Sequence, residues 1–107
     1  MDNKPELELE YILLMHQDAL DQNIVKDSER WGLYLSHLQS TGQFDGGSVI
    51  GPGVLYHKDK PSQPVQSELT GFIRIRAGSF EEATQFLAGN PVYEAGGTVE
   101  IRELPRT

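Results

Sequence analysis

Nothing constrains the fold of this chain more than its last third, residues 68–104. It reads Glu68-Leu69-Thr70-Gly71-Phe72-Ile73-Arg74-Ile75-Arg76, then Ser79-Phe80-Glu81-Glu82-Ala83. It closes with Asn90-Pro91-Val92-Tyr93-Glu94-Ala95-Gly96-Gly97-Thr98-Val99-Glu100-Ile101-Arg102. Residues 70–76 alternate as a strand, with Phe72, Arg74 and Arg76 on one face and Ile73 and Ile75 on the other. Ser79 and Glu82 have the spacing of a capping box, in which the serine hydroxyl accepts from the third helical N–H and the glutamate reaches back. The helix that follows runs to about Ala88 and buries Phe80, Ala83, Phe86 and Leu87. Asn90-Pro91 stops it, because a residue before proline is pushed out of the helical region. Gly96-Gly97 turns the chain into a last strand, 98–104.

The first two thirds supply a matching half. Residues 7–16 form a strand in which Tyr11, Leu13 and Met15 share one face and Ile12, Leu14 and His16 the other. Both faces are apolar at the centre, so this strand is placed inside a sheet and covered on both sides. Residues 17–27 are a polar connector. A helix over 29–40, capped by Asp27 or Ser28, presents Trp31, Tyr34, Leu35 and Leu38 at helical spacing, and Gly42 ends it in the left-handed conformation. A glycine-weakened strand covers 44–50, and Gly51-Pro52-Gly53 breaks it. Residues 54–65 read as a short ribbon or loop with a proline-rich tip. The order β-α-β-β-α-β predicts an α+β fold of ferredoxin-like type, an antiparallel sheet with both helices on one face.

Two helices cover only one sheet face. Ile73, Ile75, Val99 and Ile101 are the apolar set expected beneath them. Phe72, Arg74, Arg76, Thr98, Glu100 and Arg102 are then left on the other face, together with one apolar set of the first strand. A second copy packing sheet to sheet would cover that face, which predicts a homodimer. The arginines there predict a locally positive surface, although the whole chain of 107 residues carries a formal charge of −7. That acidity argues against nucleic acid as a partner, because it repels the phosphate backbone. No apolar run approaches the length needed to span a bilayer, so no membrane partner is expected. The N-terminus lacks a basic segment followed by an apolar one, which predicts a cytoplasmic protein without a secretory signal. One domain over 1–107 is expected, with 1–6 as a flexible N-terminus. Cys is absent, which excludes disulfides and thiolate chemistry.

Residues 10–15, 42–52, 68–72, 90–96 and 99–102 together resemble the YCII-related family, which includes the DGPF-motif proteins. Glu68-Leu69-Thr70-Gly71-Phe72 is similar to the Lys-Glu-x-Leu-x-Gly-Phe segment of that family, with Ser67 in place of the lysine. Asn90 to Gly96 is similar to the Asp-Pro-Tyr-x-x-Ala-Gly segment of its YciI-type members, and Val99-Glu100-Ile101-Arg102 to its Val-Glu-Val-Arg ending. The resemblance implies a dimeric α/β barrel with an enclosed cavity. The Asp-Gly-Pro-Phe motif itself is absent. Where YciI-type members resemble this chain but carry a His and an Asp, Trp31 and Asn90 stand here, so that acid–base pair is not carried over.

Candidate chemistry starts with His16 at the end of the first strand. An imidazole there can take or give a proton near neutral pH, and Asp18 two residues on can orient it; these two are the catalytic candidates. Arg74, Arg76 and Arg102, with Glu100, are the candidates for binding a small organic anion, since a guanidinium fork matches a carboxylate or phenolate. Ser48 can add a hydroxyl. His37 and His57 read as surface residues, and three scattered histidines do not make a metal site, so neither metal nor cofactor is expected. Two functions follow. One is an enzyme doing proton transfer on a small anionic or aromatic compound in a cavity on the sheet face. The other is a non-catalytic binding or regulatory module whose sheet-to-sheet interface is filled.

Overall fold

The computed structural model describes residues 8–66 and 68–106. The expected flexible segment 1–6 and the first strand's start at Leu7 lie outside them. The elements are β1 (Leu9–His16), α1 (Gln22–Val25), α2 (Ser28–Thr41), β2 (Phe44–Val49), β3 (Val54–His57), β4 (Lys60–Pro64), β5 (Leu69–Ala77), α3 (Phe80–Ala83), a 3-10 turn (Thr84–Leu87), α4 (Pro91–Glu94) and β6 (Val99–Leu104). Four strands form an antiparallel sheet in the order β2-β5-β1-β6, and β3 and β4 form a separate ribbon. With the ribbon set aside, this is the ferredoxin-like order. β1 and β5 are the inner strands, as the two apolar faces of β1 require.

The core lies between that sheet and the helices. Tyr11, Leu13 and Met15 of β1 and Ile73, Ile75 and Ala77 of β5 are buried, along with Tyr34 and Leu38 of α2, Ala83, Phe86 and Val92. Val99 and Ile101 pack against this cluster and are partly buried. The alternation thus resolves in favour of Tyr11, Leu13 and Met15 beneath the helices, and Ile12, Leu14 and His16 go to the open face. The Tyr34 hydroxyl donates to the Phe86 carbonyl at 2.6 Å and joins the two helical halves of the covering layer.

Local chemistry explains most element ends. Asp27 caps α2 by accepting from Glu29 N at 3.0 Å, and Gly42 closes it at φ 74°. Ser79 Oγ accepts from Glu82 N at 3.1 Å, while the Glu82 carboxylate accepts from Gly78 N, so the box closes one residue early. The helix expected to reach Ala88 is a single α-turn followed by the 3-10 turn. The chain must leave the helical region before Asn90, which opens a new turn by accepting from Val92 N and Tyr93 N. Asn90-Pro91 therefore starts a helix as well as ending one, with proline at a first-turn position where no N–H is needed. Phe80, expected in the core, is 49% exposed and rests edge-on against Tyr11 at 5.0 Å. The prolines placed at the ribbon tip, Pro61 and Pro64, lie instead within β4.

β2 carries an irregularity that shapes the site, and the β1–β5 register shifts once more between Met15 and His16. Phe44 faces Ile75 and Gly47 faces Ile73, so three residue steps on β2 span two on β5. Gly46 absorbs the extra residue at φ 100°, a left-handed backbone that favours glycine.

Candidate functional site

The open face of the sheet is ordered in rows set by the strand registers. Arg76, Glu10 and Leu104 lie side by side, then Arg74, Ile12 and Arg102, then Ser48, Phe72, Leu14 and Glu100. Ile12, Leu14 and Phe72 make a partly buried apolar centre. Charges frame it. Glu10 accepts from Arg74 at 3.3 Å and from Arg106 at 3.0 Å. Arg76 donates to Asp45 at 2.9 Å and to Glu8 at 3.2 Å. Glu100 holds Arg102 on one oxygen and His16 Nε2, at 2.9 Å, on the other.

Two sequence expectations change here. The carboxylate bonded to His16 is Glu100 and not Asp18. Asp18 accepts from Thr98 N at 2.7 Å and from the Thr98 hydroxyl, which ties the loop after β1 to the start of β6. The local charge is balanced rather than positive. The guanidinium groups of Arg74, Arg76, Arg102 and Arg106 meet the carboxylates of Glu8, Glu10, Asp45 and Glu100. Strand alternation itself puts Glu8 and Glu10 on this face, and the β2 bulge brings in Asp45.

The hydrogen bond with His16, then the one from Arg102, hold the Glu100 carboxyl below its ordinary value of 4.5. The Thr98 side chain and then its backbone N–H hold Asp18 below 3.8. Both groups titrate lower folded than unfolded. Their stabilisation is therefore present above the unfolded values and is lost as the pH falls through the folded ones. Glu100→Gln should flatten the acid limb of the stability–pH curve below about pH 5. Urea midpoints measured from pH 6 downward check this, and an unchanged slope would mean that the Glu100 cluster does not form.

A concave space lies on the other side of the sheet. A cleft of about 450 Å³ opens between α2 and the β2–β5–β1 end, lined by Met15, Val25, Trp31, Leu35, Phe44 and Val92 among others. Ser48 and Thr70 border it, but the register turns the Ser48 side chain to the open face, and both hydroxyls donate to backbone carbonyls, those of Val49 and Met15; among the described residues no side chain that titrates lines it. The cleft exists because α2 presents Trp31 and Leu35 over a part of β2 whose inward residue is Gly47, which offers no side chain to fill the gap. The Trp31 indole N–H donates to the Val25 carbonyl at 2.7 Å, binding the α1 connector to α2 as one wall.

Of the residues singled out from sequence, the structure brings His16, Glu100 and Arg102 into one cluster, and places Arg74 and Arg76 in separate ion pairs on the same face. Ser48 borders the cleft, but its side chain stands in the open-face row beside Phe72. Trp31, Leu35, Val25 and Phe44 were not singled out as site residues. The sign of them in the sequence was the Gly46-Gly47 pair opposite a tryptophan-bearing helix. Among the described residues, no group of three or more His, Asp or Glu is placed to hold a metal ion, and no helix is long and apolar enough to cross a membrane.

No protein-family model and no curated protein sequence matches the chain. Among solved structures, the chain is similar to the 5-chloro-2-hydroxyhydroquinone dehydrochlorinase TftG from Burkholderia phenoliruptrix AC1100, in complex with 2,5-dihydroxybenzoquinone. The likeness covers 92% of this chain and 96% of that one at 13% identity, with a TM-score of 0.54. At that identity the likeness is one of fold, and it agrees with the antiparallel sheet and one-sided helical layer described above.

Proposed function

We propose that this chain is a YCII-like, homodimeric binding protein that takes a small, uncharged aromatic compound into the cleft beneath α2. The cleft's lining carries the proposal. Its volume falls within the range of small-molecule sites, and its walls are apolar and aromatic. A lining without titratable groups gives an anion no partner and supplies no acid or base, which favours binding over chemistry at this site. A fold neighbour that holds a planar six-membered ring supports the size and shape of such a ligand, though not its charge. The dimer follows from the apolar centre of the open face. Two copies packed sheet to sheet would bury Ile12, Leu14 and Phe72 and leave the ion pairs at the rim.

Trp31 is the single tryptophan in the chain, so its emission reports on the cleft directly. Simple phenols and hydroquinones are expected to change that emission saturably and to raise the melting temperature, by about 2.7 kcal/mol of added stability at a hundredfold excess over Kd. Aliphatic carboxylates are expected to do neither. If neutral aromatic compounds leave Trp31 unchanged, the reading fails.

A second reading is favoured by one observation, the 2.9 Å contact between His16 and Glu100. A carboxylate on one ring nitrogen fixes the tautomer of the imidazole and prepares the other nitrogen for proton transfer. A partner subunit covering the open face would enclose that pair with Arg102 and Arg74. In this reading the protein is an enzyme, and an anionic substrate must displace a carboxylate from one of the arginines. His16→Asn would then abolish turnover of an aromatic substrate while leaving Trp31 quenching intact. Loss of both together would place His16 in the fold rather than in the chemistry.

A further inference from the structure

The ribbon of β3 and β4 has no counterpart in the four-stranded sheet and does not pack on it as an element. All its residues are exposed, including Leu55 at 55% and Tyr56 at 83%. The chain has a radius of gyration of 15.9 Å, against roughly 13 Å for a compact domain of this length, and a longest dimension of 55 Å. A two-stranded ribbon standing alone in water is marginally stable. Its two outer edges are not equivalent. β4 carries Pro61 and Pro64, which have no N–H to offer and blunt that edge. β3 reads Val54-Leu55-Tyr56-His57, has strong strand formers, and its outer edge pairs with no strand among the described residues.

We propose that this outer edge is an interaction surface for a second copy of the chain, β3 pairing antiparallel with β3 to make a four-stranded ribbon. The pairing is isologous, so it closes at two copies and leaves both outer edges to the proline-bearing β4 strands. Charge favours the same arrangement. The ribbon tip, Lys58-Asp59-Lys60, keeps one positive charge in excess in a chain whose net charge is −7. Antiparallel pairing carries the tip of one ribbon toward the base of the other, on the side from which the chain runs on through the exposed Glu68 into β5. This interface is separate from the sheet-to-sheet one. With both in use and their two-fold axes crossing at right angles, two dimers join into a closed tetramer.

The mass of the full-length protein by sedimentation equilibrium, wild type against Tyr56→Pro, tests it. Proline at position 56 removes an edge N–H without touching the core. The variant is expected to have half the wild-type mass: dimer against tetramer if the sheet-to-sheet contact also holds, monomer against dimer if it does not. Leu14→Glu, on the open sheet face, reports on that other contact alone and keeps the two failures apart. The absence of Cys allows an independent measurement. Leu55→Cys and Tyr56→Cys, alone or mixed one to one, should form a covalent dimer under mild oxidation, whereas His37→Cys on α2 should not. An unchanged mass in Tyr56→Pro, or no cross-link from positions 55 and 56, overturns the proposal.

Discussion

Leu13→Ala is expected to destabilise the protein by about 3 kcal/mol, the middle of the range for truncating a fully buried leucine. Leu13 is 0% exposed at the centre of β1, opposite Ile73 on one side and Ile101 on the other. No solvent reaches the space its side chain would vacate, and the flanking strands are held in register by their ladders, so the cavity cannot close. A domain of this kind is typically stable by only about 5–15 kcal/mol, so the loss is a large share of the whole. The melting temperature should fall by roughly 15 °C. Calorimetry decides it, and a fall under roughly 5 °C would show that the inner face of β1 is not the centre of the core.

Gly47→Val is expected to cost about as much for the opposite reason. A Cβ at this position would sit 2.3 Å from the Phe72 carbonyl oxygen and 3.1 Å from Ile73 Cα. These are backbone atoms of the neighbouring strand and cannot swing aside. β2 must draw away from β5, at about 3 kcal/mol, the upper part of the usual overpacking range. Because Gly47 also lines the cleft, the same movement should abolish the response of Trp31 to aromatic ligands. Gly46→Ala is the control. A Cβ there meets nothing within 4 Å, and only its left-handed backbone disfavours it, by about 1 kcal/mol. Equal urea midpoints for the two variants would refute the steric account.

The fold was legible where periodicity and caps agreed. Strand alternation in residues 70–76, the helical stripe of Tyr34 and Leu38, and the caps at Asp27, Gly42 and Ser79 each left a mark along the chain, and the element order followed. The single-turn helices were not legible as elements. α1 and α4 have four residues each, too few for a hydrophobic period, and only their caps at Asp21 and Asn90 announce them. The site was legible in part. Alternation placed Arg74, Arg76, Glu100 and Arg102 on one face, but pairing is a property of the register. Only the alignment of β1, β5 and β6 hands Glu10 to Arg74 and Glu100 to His16. The cleft was hidden for another reason. It is a deficit of side chains between two elements, and a sequence records what residues contain rather than the space left between them.

The indole of Trp31 is fastened before any guest arrives. Its N–H is held by the Val25 carbonyl, and its ring meets Tyr34 edge-on at 6.1 Å. The largest side chain of the site therefore gives up its rotamers when the chain folds, and ligand binding does not bear that entropy again. Selection among flat compounds then rests on how each outline matches a standing wall, not on how far the wall can be remoulded around it.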